Sequence, residues 1–276
     1  MIILDGKSLK EEILNDLKNK TSNLNLSFAV IQIGDNEASN VYIRQKKKMC
    51  EYLNIKFNHY KFTEDANEDE IIILINKLNN DDTTGILMQL PIPDKFNKDK
   101  ILNTIDYKKD VDGLTKTNMA NLILNEKGII PCTPKGILTL LNKYNIKVEG
   151  AKVVIIGRSN LVGKPLANLL LNNNASVTIC HTKTKNLREY TLNADIVIVA
   201  AGCPFLLTAD MIKDNAVVID VGITRVGDHL CGDVDFEKVK EKASYITPVP
   251  GGVGPMTIAS LASNILDAYY LKHNDN

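Results

Sequence analysis

The chain has 276 residues, 44% of them hydrophobic and 24% charged, which places it among globular proteins and excludes wholesale disorder. At about 100–200 residues per domain, this length predicts two domains or one large one. Basic and acidic residues both number 33, so the basic excess of a general nucleic-acid binder is missing.

Only four of the basic residues are arginines: Arg44, Arg158, Arg188 and Arg225. Arginine makes a planar, two-pronged contact to phosphate or carboxylate that lysine cannot, so each is a candidate ligand residue. The five cysteines are scattered and form no Cys-x-x-Cys, which argues against a disulfide framework or a zinc site. The first residues, Met1 to Lys7, lack the apolar region of a signal peptide. The longest mostly apolar stretch, 196–207, contains Pro204 and is too short to cross a bilayer. These features predict a soluble, cytoplasmic chain with no metal, membrane or nucleic-acid partner.

Along the chain, residues 8–17 have apolar spacing near that of a helix. The run 28–33 (Phe-Ala-Val-Ile-Gln-Ile) ends at Gly34 and reads as a buried strand. A helix is predicted over 39–53, with Ser39 as its cap, and another over 68–78. Residues 85–90 read as a strand stopped by Pro91 and Pro93. This rhythm predicts a parallel sheet with covering helices. A region rich in Asp, Gly and Pro spans 106–134, and a helix follows from about Pro134 to Tyr144. Strands are then predicted over 152–156, 176–180, 195–200 and 216–221, with a helix over 165–171. Four short apolar strands in this order predict a Rossmann-type domain. The run 248–255 is read as neither helix nor central strand, and a last helix is predicted from Thr257. The expected architecture is two α/β domains with a cleft between them. A catalytic domain over 1–120 is joined by a C-terminal helix over 257–276, and a nucleotide-binding domain spans 121–256.

The turn Gly157-Arg-Ser-Asn-Leu-Val-Gly163 is not a clean Gly-x-Gly-x-x-Gly, and alone it is a weak signal. It nevertheless sits at the first strand of the Rossmann series, where a helix N-terminus offers free N–H groups to a diphosphate. The second strand ends in Cys180-His-Thr-Lys-Thr184, without the carboxylate that NAD sites place there. Hydroxyls and a lysine suit a 2′-phosphate, as does Arg158, so NADP is expected over NAD.

Tyr42 and Lys46 are four residues apart and share a helix face, an acid–base pair if their pKa values are shifted. An amphipathic helix with a snorkelling lysine explains the same spacing. Short-chain dehydrogenases carry a similar pair after the nucleotide turn, whereas here it comes before. Gln89, at the end of a strand, is a candidate partner for Lys46. Asp110 and Asp112 bring two carboxylates to one turn, and either can bind a planar, guanidine-like edge. The same two residues also suit a plain Asp-Gly turn.

Seven segments together resemble the bifunctional methylenetetrahydrofolate dehydrogenase/methenyltetrahydrofolate cyclohydrolase family. They are Tyr-Ile-Arg-Gln-Lys at 42–46, Met-Gln-Leu-Pro at 88–91, Lys-Asp-Val-Asp-Gly-Leu at 109–114 and Pro-Cys-Thr-Pro-Lys-Gly at 131–136. Gly-Arg-Ser-Asn-Leu-Val-Gly-Lys-Pro at 157–165, Ile-Asp-Val-Gly-Ile at 219–223 and Pro-Val-Pro-Gly-Gly-Val-Gly-Pro-Met-Thr at 248–257 complete the set. They occur in family order over nearly the whole chain. The resemblance implies oxidation of methylene-tetrahydrofolate with NADP, then hydrolysis of the methenyl product to formyl-tetrahydrofolate. It implies Lys46 as the principal residue of hydrolysis, tuned by Gln89, with Tyr42 packed on the substrate. Asp112 would anchor the pterin. Gly157, Arg158, Ser159 and Thr182 would meet the cofactor phosphates, and Ile223 the nicotinamide end. Pro250, Gly251 and Thr257 would lie near both ligands. A homodimer is implied in the same way. The alternative within the same class is a shikimate-type NADP dehydrogenase, which folate turnover would distinguish.

Overall fold

The computed structural model describes residues 1–227 and 229–273. The chain forms two compact units, one of Met1–Glu11 with Thr133–Thr257, the other of Glu12–Cys132 with residues from Ile258 onward. The first strand, β1 (Ile2–Ile3), explains why the opening residues leave the segment that follows them. It pairs in parallel with Tyr245–Ile246, in the sheet of the later unit. The observed units therefore differ from the expected 1–120 and 121–256 at the N-terminus and at the 132/133 boundary.

In the three-stranded unit the chain runs through α1 (Gly6–Thr21), β2 (Ser27–Ile33), α2 (Glu37–Tyr52), β3 (Lys56–Phe62), α3 (Glu68–Asn80), β4 (Gly85–Met88), α4 (Lys98–Thr104) and α5 (Lys116–Leu124). The sheet order is β3-β2-β4, all parallel. Strand β2 is buried on both faces, which is why it reads as an unbroken apolar run. Phe28 and Val30 point into a cluster with Leu14, Leu17, Met49, Leu261 and Ile265. Ala29, Ile31 and Ile33 point the other way, against Ile71, Ile75, Leu78 and Ile101. Beside β4, Ile86 donates to the Lys109 carbonyl and Val111 donates to the Ile86 carbonyl. This extra rung brings the Asp110–Asp112 turn alongside the strand that leads to Gln89.

The six-stranded unit adds α6 (Cys132–Lys143), β5 (Lys152–Ile156), α7 (Gly163–Asn172), β6 (Ser176–Cys180), α8 (Leu187–Thr191), β7 (Ile196–Val199), β8 (Val217–Asp220), β9 (Thr224–Val226), β10 (His229–Cys231), α9 (Phe236–Val239) and β11 (Tyr245–Ile246). The last helix, α10 (Val253–His273), starts here and belongs from Ile258 onward to the three-stranded unit. The order β1-β11-β8-β7-β5-β6 is parallel throughout, and β9 and β10 form a separate antiparallel pair. The chain leaves β5 for β6 on one side and returns to β7 on the other. That reversal is the switch point at which open α/β sheets bind ligands, at the carboxyl ends of the strands. Val154, Ile156, Val197, Val199 and Val218 pack one face of this sheet onto Leu207, Ile212 and Val239. Among the described residues no helix is long and apolar enough to cross a membrane.

Several sequence expectations are corrected. Asn36, not Ser39, caps α2, because its side chain accepts from the Ser39 amide. Strand β4 stops at Met88, leaving Gln89 just beyond it. The Asp-, Gly- and Pro-rich region 106–134, for which the sequence predicts no element, contains α5, whose cap Thr115 accepts from the Asn118 amide. Two short edge-side strands, β1 and β11, extend the expected four to six. Helix α10 begins at Val253, inside the glycine-proline run, rather than at Thr257. Pro255 lies in its first turn, where a missing N–H breaks no helical bond. The expected end of that helix, 274–276, lies outside the described residues.

Candidate functional site

Helix α2 buries Ser39, Ile43, Lys46, Met49 and Cys50 along one stripe. Lysine at a position of that stripe is the anomaly. Lys46 is 9% exposed, and its Nζ donates to Gln89 Oε1 at 2.8 Å. The Gln89 side-chain amide donates in turn to the Leu90 carbonyl at 2.8 Å, which turns Oε1 toward the lysine. Ser39 Oγ donates to the same carbonyl at 3.2 Å. The expected Lys46–Gln89 pairing is therefore a direct, buried hydrogen bond.

Burial holds the Lys46 ammonium below the ordinary lysine range, and the nearby Asp112, Cys132 and Cys50 pull it partly back. Burial pushes the Asp112 carboxyl up, while Lys46 and a hydrogen bond with the Cys132 thiol pull it down. The Cys50 thiol is pushed up to about 12, mainly by burial. The result is a site whose charges are all held back by desolvation. Tyr42 shares the helix face one turn before Lys46 and stays 37% exposed.

The two aspartates of the 109–113 turn do different work. Asp110 accepts from the Gly113 and Thr115 amides and from Asn118 Nδ2, so it builds the turn. Lys109 is also structural, donating to the Leu78 and Asp81 carbonyls at the end of α3. Asp112 is left to face Lys46.

In the six-stranded unit, the turn after β5 is tightly built. Gly157 has φ +129°, and a Cβ there would lie 2.2 Å from the Ala200 carbonyl oxygen. A Cβ on Gly163 would lie 2.1 Å from the Gly157 carbonyl oxygen. Both positions require glycine, although the motif is irregular. Ser159 Oγ accepts from the Val162 amide, and α7 starts without a side-chain cap. Within that first turn, however, the Lys164 N–H donates to the Ser159 carbonyl at 3.1 Å and Pro165 has no N–H, so the expected row of free N–H groups is not formed. Arg158, Ser159, Thr182, Lys183 and Lys185 are all exposed at the ends of β5 and β6. Ile223 is 44% exposed after β8. Further on, Pro250 is exposed, and the carbonyl of Gly251 accepts from the Lys7 amide. Thr257 donates its hydroxyl to the Gly254 carbonyl within α10.

The two halves of the chain match two known family models. Residues 4–112 match the tetrahydrofolate dehydrogenase/cyclohydrolase catalytic domain, and 131–273 match the NAD(P)-binding domain of the same enzymes. The chain belongs to the tetrahydrofolate dehydrogenase/cyclohydrolase family. The bifunctional protein FolD of Agathobacter rectalis is 50% identical over 273 residues, 96% of this chain and 98% of that one. The crystal structure of the Campylobacter jejuni bifunctional methylenetetrahydrofolate dehydrogenase/cyclohydrolase is 49% identical. It covers 98% of this chain and 99% of its own, with a TM-score of 0.95. The Trypanosoma brucei dehydrogenase-cyclohydrolase, solved with NADP and an inhibitor, is 31% identical with a TM-score of 0.95, and covers 99% of this chain and 98% of its own.

Within this family frame, the sequence reading left Cys132 and Asn264 without roles. Asn264, fully buried on α10, donates to the Val111 and Ile130 carbonyls at 2.9 Å and to Cys132 Sγ at 3.5 Å. It thereby braces the backbone immediately before Asp112. Its signal is an asparagine on the apolar face of a helix, a group that must find partners.

Proposed function

We infer that the chain is a bifunctional enzyme of one-carbon folate metabolism. It oxidises 5,10-methylenetetrahydrofolate with NADP and hydrolyses the methenyl product to 10-formyltetrahydrofolate. The observation that carries this reading is the buried Lys46–Gln89 hydrogen bond, with Asp112 beside it, in a chain of this family.

The residues suit the chemistry. A base for hydrolysis must be neutral when it acts, and burial moves Lys46 that way. Gln89 Oε1 accepts one N–H and so aims the amine. The neutral amine then keeps its lone pair for a proton of the water that adds to the methenyl carbon. Asp112, half-buried and close to Lys46, presents a carboxyl to the N–H edge of a pterin. Tyr42 offers a ring surface at the exposed end of the same stripe. The resemblance further implies Pro250, Gly251 and Thr257 near the ligands.

The six-stranded unit fits a dinucleotide on its own geometry. Gly157 and Gly163 keep the turn at the switch point free of side chains, which lets a diphosphate approach its backbone. Arg158, Ser159 and Thr182 are exposed where the phosphates of NADP would lie, and Ile223 where its nicotinamide would. NADP, when bound, supplies the hydride acceptor. The missing carboxylate at the end of β6 favours NADP over NAD. The resemblance further supports a cytoplasmic homodimer, and the five free cysteines suit a reducing compartment.

The test is one assay on purified protein with methylenetetrahydrofolate and either dinucleotide. NADP reduction with formyl product above the uncatalysed rate is expected. No reduction from folded protein with either dinucleotide would overturn the reading.

A further inference from the structure

Three backbone segments meet at the carboxyl ends of β7 and β8, and two aspartates lock them together. Asp220, the last residue of β8, accepts from the Gly222 and Asp233 amides through Oδ1, at 3.0 and 2.9 Å. Its Oδ2 accepts from the Val234 amide at 3.0 Å. Asp233 Oδ2 accepts from the Ala201 and Gly202 amides at 2.7 and 2.9 Å. The two side chains are 3% and 0% exposed. Glycines make room for them. A Cβ on Gly232 would sit 1.9 Å from Asp220 Oδ2, and one on Gly222 would sit 2.3 Å from Asp233 Oδ1.

This arrangement opposes stability in two ways. Two carboxylates are buried near each other, and burial together with the Asp233 charge pushes the Asp220 carboxyl up to about 6. Asp233 Oδ1 is also sealed from solvent without a hydrogen-bond partner. An unmet buried acceptor is a cost that folding alone gives no reason to keep. The neighbouring backbone has its own bonds, since Leu207 N–H already donates to the Asp233 carbonyl. The side chain serves the turns instead. Ala201–Gly202 follows β7 and Gly222–Ile223 follows β8, at the strand ends where open sheets of this kind hold a dinucleotide.

We propose that Asp233, backed by Asp220, is a positioning residue of the dehydrogenase reaction. It fixes the Ala201–Gly202 turn, as Asp220 fixes the Gly222–Ile223 turn, in the shape that receives the nicotinamide end of NADP. The proposal rests on the NADP reading above. Asp233 touches no ligand; it acts through the amides it holds.

The test compares two activities in one preparation. Asp233→Ala is expected to lower kcat/KM for NADP reduction by about tenfold or more, chiefly through the NADP KM. Hydrolysis of supplied methenyltetrahydrofolate should stay within about twofold, because Lys46, Gln89 and Asp112 belong to the other unit. Asp233→Asn keeps an oxygen for the same two amides and should restore NADP use to within about threefold of wild type. Gly202→Ala perturbs the turn from the other side. Its φ is +64° and a Cβ there meets nothing within 4 Å, so it strains the turn without crowding the core. It should raise the NADP KM by about threefold or more while sparing hydrolysis, and it decides the matter if Asp233→Ala does not fold. An equal loss of both activities, an unchanged NADP KM in both variants, or failure of asparagine to rescue would overturn the proposal. Wild-type protein that cannot reduce NADP would instead remove the reading beneath it, and the proposal with it.

Discussion

A lysine on the buried stripe of a helix costs free energy unless its surroundings compensate, and Lys46 is compensated only in part. One hydrogen bond to Gln89 and the nearby Asp112 oppose its desolvation, and its pKa still falls below the ordinary lysine value. Hydrolysis should therefore rise with pH through that lowered pKa and then level off, as the neutral amine accumulates. A pH–rate profile for methenyl hydrolysis checks this, and a flat profile would contradict it. Asp112 faces the same desolvation, and its removal should act on substrate binding. Asp112→Ala is expected to lower kcat/KM for the folate by about tenfold or more, measured by steady-state kinetics. The neighbouring Asp110 belongs to stability. Its carboxyl is pushed up from 3.8 to about 6, mainly by burial. A group raised in the folded state contributes stability below its unfolded pKa and loses it as pH rises through the folded one. Between about pH 4 and 6, urea midpoints should thus fall less steeply, or rise more steeply, in Asp110→Asn than in wild type. The variant will also be less stable throughout, because an amide cannot accept all the hydrogen bonds that the Asp110 carboxylate accepts.

Among the elements, α10 combines apolar packing with one polar brace. Asn264 satisfies the buried Val111 carbonyl and the part-buried Ile130 carbonyl. Asn264→Leu should cost about 1–3 kcal/mol in urea unfolding, since the Ile130 carbonyl would lose its Asn264 donor and the Val111 carbonyl would keep only the weak Cys132 thiol. Much of this level was legible in the sequence. The apolar runs at 28–33 and 152–156 specify strands buried on both faces, and they fall where β2 and β5 do. The short strands β1 and β11 were not legible, since two residues carry no periodicity and their pairing is long-range. The start of α10 was missed because prolines and glycines usually end helices, whereas Pro255 sits where a proline is tolerated. Lys46 and Gln89 were visible as residues and as a candidate pair, but the buried geometry of their hydrogen bond was not. It depends on β4 ending one residue before Gln89 and on the register of β4 beside β2.

At the scale of the whole molecule, the chain folds as two compact units. The three-stranded unit holds the buried lysine, and the six-stranded unit holds the switch point and its glycine turn. Ligand linkage offers a global check on the second unit. NADP at about a hundred times its Kd should add about 2.7 kcal/mol to stability, and NAD at the same concentration should add less. The most direct measurement on the whole account is methenyl hydrolysis by Lys46→Met beside wild type. Methionine fills similar space and removes a buried amine, so thermal unfolding should stay near that of wild type. Hydrolysis is predicted to fall to the uncatalysed rate. Near-native hydrolysis by the folded variant would contradict the role given to Lys46 and the reading built on it.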